Sequence, residues 1–122
     1  MKMRIKGNSI RIRLSKTEVA ALTSGDKLED STSFGSNRFG YLVKPVSRGD
    51  NLYADYENGI INMYVPVKLL KEWPESTVTG FESHMKINDT EHLHLLLEKD
   101  FKCIDEVSED QSDFFDNPAK MC

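Results

Sequence analysis

Histidines, thiols and a ladder of cations are the residues of this 122-residue sequence whose types and spacing could do chemistry. His92 and His94 stand two apart, so on a strand both project from one side. Two imidazoles so placed can share a Zn²⁺ ion, and Cys103 and Cys122 are soft donors for the same ion. His84, in the preceding stretch, could reach that face as well. Neither a Cys-X-X-Cys nor a His-X-X-X-His spacing supports this set, and a polar strand surface is the competing reading. Cys103 as a nucleophile would need a neighbouring base, for which His94 is the visible candidate.

The cations are Lys2, Arg4, Lys6, Arg11 and Arg13, all within the first thirteen residues. Together they could contact phosphates, which position a nucleic acid or another anion without reading a sequence. The alternative is a solvated strand face whose edge charges discourage aggregation. The whole chain shows the same bias. Residues 1–50 hold ten Lys/Arg against five Asp/Glu, and residues 51–122 hold six against fifteen, which gives the net charge of −4. Such a split marks an anion-binding half, or two surfaces that attract each other or a neighbouring molecule.

The elements that must carry these residues follow from the pattern of apolar positions. Residues 1–6 alternate charged and apolar side chains and read as a strand; Gly7-Asn8 is a two-residue turn. Ile10, Ile12 and Leu14 then form the inward side of a return strand. Ser15 followed by Glu18 is a capping box for a short helix carrying Val19 and Leu22, and Gly25 suits its C-terminal end. Residues 27–34 and 39–46 are two more strands around Gly35-Ser36-Asn37. The order then recurs. Leu52, Ala54 and Tyr56 alternate up to Asn58-Gly59, and Ile61, Met63 and Val65 return. Pro66 opens a helix bearing Leu69, Leu70 and Trp73, which Pro74 closes. Residues 77–87 and 91–101 make the last hairpin, with Leu93, Leu95 and Leu97 inward and His92, His94, Leu96 and Glu98 outward.

At an offset of 51, apolar positions match apolar positions: Ile10 with Ile61, Ile12 with Met63, Leu14 with Val65, Val19 with Leu70 and Leu22 with Trp73. A ββαββ unit of this size exposes an apolar sheet face and two strand edges, so two copies are expected to cover each other. The expected architecture is mostly β (α+β): a tandem ββαββ duplication forming a pseudo-two-fold barrel or sandwich with two short helices. It is expected to be a single domain over 1–122, with repeats at 1–50 and 51–101 and an acidic tail at 102–122 docked through Phe114 and Phe115. At equivalent positions the cationic ladder is replaced by Tyr53, Asp55, Glu57, Asn62 and Tyr64, so pairing of Arg4 and Lys6 with Asp55 and Glu57 is a further expectation.

The stretch Ile5-Lys6-Gly7-Asn8-Ser9-Ile10-Arg11-Ile12-Arg13-Leu14-Ser15-Lys16 resembles the opening of swapped-hairpin antitoxin and transition-state-regulator domains. The resemblance implies two interlaced ββαββ units gripping DNA with basic residues of the first hairpin. This chain departs from that family in having Ser15 where proline is usual and in carrying a fused second copy. The tail, from Glu98-Lys99-Asp100-Phe101-Lys102-Cys103 to Asn117-Pro118 and Cys122, together with the opening, resembles a family of small bacterial proteins of uncharacterised function.

No apolar run approaches the ~20 residues of a membrane span, and residues 1–6 lack the apolar core of a signal peptide. A cytoplasmic location is the expectation. The functional expectation is a non-enzymatic binding or interaction domain, with a protein partner or self-association through opposite charge faces. The alternatives are a DNA-binding regulator using Lys2, Arg4, Lys6, Arg11 and Arg13, and a zinc-binding protein using His92, His94, Cys103 and Cys122.

Overall fold

Tight turns and helix caps set the local structure of each half. In the computed structural model, which describes residues 1–101, β1 (Lys2–Lys6) and β2 (Ser9–Leu14) are joined through Gly7 at a φ of +56°. A short helix, α1 (Lys16–Thr23), leads to the hairpin of β3 (Leu28–Ser33) and β4 (Arg38–Val46). The second half repeats this order with β5 (Tyr53–Glu57), β6 (Ile60–Pro66), α2 (Val67–Leu70), β7 (Gly80–Lys86) and β8 (His92–Lys99). Asn58 and Gly59 both adopt positive φ, +54° and +76°, as a two-residue turn matched to strand twist requires.

The offset of 51 is preserved in the pairing. Lys2 faces Arg13 and Met3 faces Ile12 in the first hairpin; Tyr53 faces Tyr64 and Ala54 faces Met63 in the other. Each hairpin then joins a hairpin of the opposite half. β2 lies parallel to β8, from Ser9 beside His94 to Leu14 beside Lys99, and β4 lies parallel to β6. One sheet therefore reads β1-β2-β8-β7 and the other β3-β4-β6-β5. Replacing strands 1–4 by 5–8 and the reverse turns one order into the other. The structure is mostly β with two four-stranded sheets and two short helices. The sheets do not close into a barrel, so of the two expected architectures the barrel is absent.

The inner faces share one core. Ile12, Leu14, Leu95 and Leu97 come from the first sheet and Val43, Met63 and Val65 from the second, and each is at most 1% exposed. The helical segments add Val19, Leu22, Leu70 and Trp73, all buried. Positions matched at the offset of 51 are thus core positions in both halves. This burial is what stabilises the exchange, since a hairpin alone is marginal in water.

Capping explains why the two helices differ in length. Ser15 Oγ accepts from the Glu18 N–H (3.3 Å), and the Glu18 carboxylate accepts from the Ser15 N–H (2.9 Å). At the other end the Gly25 and Asp26 N–H groups donate to Leu22 and Ala21 carbonyls, each at 3.0 Å, closing α1 in a left-handed cap. Pro66 offers α2 no side-chain cap, and α2 lasts four residues. The expected helix through Trp73 is instead broken: Glu72 has a φ of −117° and Trp73–Glu75 forms a separate 3-10 turn. Proline at 74 has no N–H to donate to the Leu70 carbonyl and its ring would clash with that carbonyl in a continued α-helix, which accounts for the break. Trp73 is nonetheless core, donating Nε1–H to the Val78 carbonyl (2.9 Å) with its ring 4.9 Å from that of Phe81. The last hairpin is shorter than expected at both strands, starting at Gly80 and ending at Lys99. The expected docked tail, 102–122, lies outside the described residues.

Candidate functional site

Alternation along β1, β2, β8 and β7 puts the core residues on one side and most of the chemistry-bearing residues on the other. Strand register arranges the outward side in rungs. One runs Lys6, Ser9, His94, His84; the next runs Arg4, Arg11, Leu96, Glu82; the third runs Lys2, Arg13, Glu98, Gly80. The face is graded, with cations on β1 and β2 and carboxylates on β7 and β8.

That gradient is partly neutralised across the parallel β2–β8 junction. Glu98 Oε1 lies 3.1 Å from Arg11 Nε and 3.7 Å from Arg13 Nε, and Lys2 Nζ lies 2.9 Å from an Asp100 oxygen. The Arg11 contact is close in charge terms but fails hydrogen-bond geometry, leaving a buried N–H without a hydrogen-bond partner. Hairpin exchange thus brings the basic half against acids of the other half. They are not the acids expected: among the described residues, Arg4 and Lys6 form no ion pair with Asp55 or Glu57. The reason is topological, because β1 and β5 belong to different sheets. Asp55 instead accepts from Asn62 (2.7 Å) and from the Tyr64 hydroxyl (3.0 Å). Burial, that hydrogen bond and the charges of Asp55, Glu57 and Tyr53 push the Tyr64 hydroxyl above its usual range. Tyr53 and Tyr64 stack at 4.9 Å on the rung where Lys2 and Arg13 stand in the other sheet.

Arg4 and Lys6 therefore stand apart from the other three cations of the ladder. With Ser9, Arg11, His94 and Leu96 they border an open groove of about 340 Å³. Arg4 and Lys6 are exposed, Ser9, Arg11 and His94 half-buried.

The histidines are distributed by register. His84 faces His94 across the β7–β8 pair, and their rings stack 4.4 Å apart, within 7° of parallel. His94 Nε2 lies 2.5 Å from Glu82 Oε2, and its Nδ1 faces Ser9 Oγ at 3.4 Å. His92 faces Lys86 instead, and its carbonyl accepts from the Asn8 side chain (2.7 Å). Of the expected metal set, His94 is placed beside His84 and Glu82, His92 is placed opposite a cation, and Cys103 and Cys122 lie outside the described residues. Glu82 was not legible as a partner of His94. Its signal is Glu82-Ser83-His84, an alternating pair whose relevance needs the β7–β8 register.

Among the described residues, no helix is long and apolar enough to cross a membrane. No curated protein and no solved structure matches the chain. The sequence does match a family model over residues 1–119, and on that coverage the chain belongs to a family of unknown function, DUF7009.

Proposed function

We propose that this protein is a non-enzymatic binding protein that receives an anionic partner on the outward face of the β1–β2 hairpin. One observation carries the reading. Arg4 and Lys6 border an open groove with Arg11 and have no ion-pair partner among the described residues, whereas Lys2, Arg11 and Arg13 each have one. Two exposed cations on neighbouring positions of one strand face, without a carboxylate partner among the described residues, attract an anion. Retention on immobilised heparin tests this. The wild-type chain is expected to be retained and to elute earlier as salt rises; Arg4→Ala with Lys6→Ala should abolish retention, whereas Lys44→Ala should not. Equal retention of all three would overturn it.

DNA is the second reading, favoured by the exchange of hairpins between the two halves, which sets the cationic hairpin at the edge of a rigid sheet. Against a symmetric grip, the equivalent hairpin β5–β6 presents Tyr53, Asp55, Glu57, Asn62 and Tyr64. Fluorescence anisotropy with a labelled duplex separates the two: a heparin-binding chain that ignores duplex DNA is a receptor for another anion.

A further inference from the structure

We propose that Glu82, His84 and His94 form a site for a divalent transition-metal ion of the Zn²⁺ class. The side chains occupy three corners of one cross-strand ladder: Glu82 and His84 two apart on β7, and His94 directly opposite His84 on β8. One ligand atom from each lies within 4.8 Å of the other two. Metal–ligand bonds of about 2.0–2.1 Å place tetrahedral ligand atoms roughly 3.3 Å from one another. The wider separations must therefore close by about 1.5 Å at most, while the Glu82–His94 contact of 2.5 Å must open and the His84 ring must turn out of its stack on His94. Side-chain rotation supplies this because Glu82 and His84 are exposed and their strands need not move.

The donor types fit. Two imidazoles and a carboxylate make three protein ligands, with a fourth position left to water or a small anion. His94 has the second contact that a metal-bound imidazole usually makes. Its Nδ1 faces Ser9 Oγ, so a proton on Nδ1 leaves the Nε2 lone pair directed toward the side where Glu82 stands. The Glu82 carboxylate supplies negative charge on β7, at the sheet edge opposite the β1 strand that carries Arg4 and Lys6. The site uses neither Arg4 nor Lys6, but it shares His94 and Ser9 with the groove those cations border, and it rests on Glu82 and His84 outside that groove. It also uses neither cysteine, which separates it from a His92, His94, Cys103 and Cys122 set.

The test is a titration of the full-length apo chain with Co²⁺ and with Zn²⁺, followed by absorption spectroscopy and isothermal titration calorimetry. One equivalent of metal should bind, without the near-ultraviolet charge-transfer band of a cobalt–thiolate bond. His84→Ala and Glu82→Gln should each weaken binding by about tenfold or more, whereas His92→Ala and the double Cys103→Ser, Cys122→Ser variant should bind as the wild type does. Both ligand substitutions are at exposed positions, and an unchanged melting temperature without metal would establish that the variants fold. No stoichiometric binding, a thiolate band lost in the double cysteine variant, or wild-type affinity in His84→Ala would overturn the proposal. Heparin retention of His84→Ala reads out the anion-binding face separately and should be unchanged.

Discussion

Single residues decide where this chain turns, caps and concentrates charge. Glu18 closes the capping box with Ser15, and its carboxylate also sits 2.6 Å from the Met1 amino group. Burial raises its pKa, but hydrogen bonds from that amino group and the Ser15 N–H, the amino group's charge, and the Ser15 hydroxyl together outweigh burial and hold it below 4.5. A carboxylate depressed on folding stabilises the native state above its unfolded pKa, and the stabilisation is lost as pH falls through the folded value. Glutamine at 18 can keep the cap but cannot titrate. Wild type should therefore be more stable than Glu18→Gln at neutral pH, by on the order of 1 kcal/mol at most. The gap should close on acidification below 4.5, which thermal melts across pH would follow. A gap that stays constant into strong acid would contradict the assignment.

At the scale of elements, the sequence disclosed each hairpin but not its neighbour. Ile10-Arg11-Ile12-Arg13-Leu14 tells which side is buried and, with Gly7-Asn8, which strand precedes it. Nothing in a period of two says that β2 will run beside β8, because that parallel contact joins residues 85 positions apart in the chain, such as Ser9 and His94. Hence the core positions were legible, whereas the Arg11–Glu98 contact and the Glu82–His94 pair were not. The short α2 departs from the expected helix for a local reason, the missing N–H and the ring of Pro74 opposite the Leu70 carbonyl. One element position is also fixed by space: a Cβ on Gly80 would overlap the Leu97 carbonyl oxygen and come within 2.7 Å of Glu98 Cα. Since β8 is the central partner of both β7 and β2, backbone there cannot retreat cheaply. Gly80→Ala should cost about 1–3 kcal/mol, read as a lowered denaturant midpoint, and a midpoint equal to wild type would show that β7 starts elsewhere.

For the whole molecule, the charge asymmetry between halves acquires a structural meaning through exchange. Basic β1–β2 lies beside acidic β7–β8, so Glu98 pairs with both Arg11 and Arg13 and Asp100 with Lys2, while Arg4 and Lys6 have no ion-pair partner among the described residues. The two sheets share an order but not a surface: cations on one hairpin correspond to tyrosines and acids on the other. A near-symmetric core with unlike outward faces leaves each face to recognise something different. The cationic face is the one for which an electrostatic account can be given. Its most direct test is the dependence of polyanion affinity on salt, measured for wild type and for Arg4→Ala with Lys6→Ala. Each ion contact to a polyanion steepens the fall of log affinity with log salt, by about 0.9 where the polyanion is duplex DNA. Removal of both cations should therefore reduce the slope, by roughly 1.8 on duplex DNA; equal slopes for the two proteins would contradict the account.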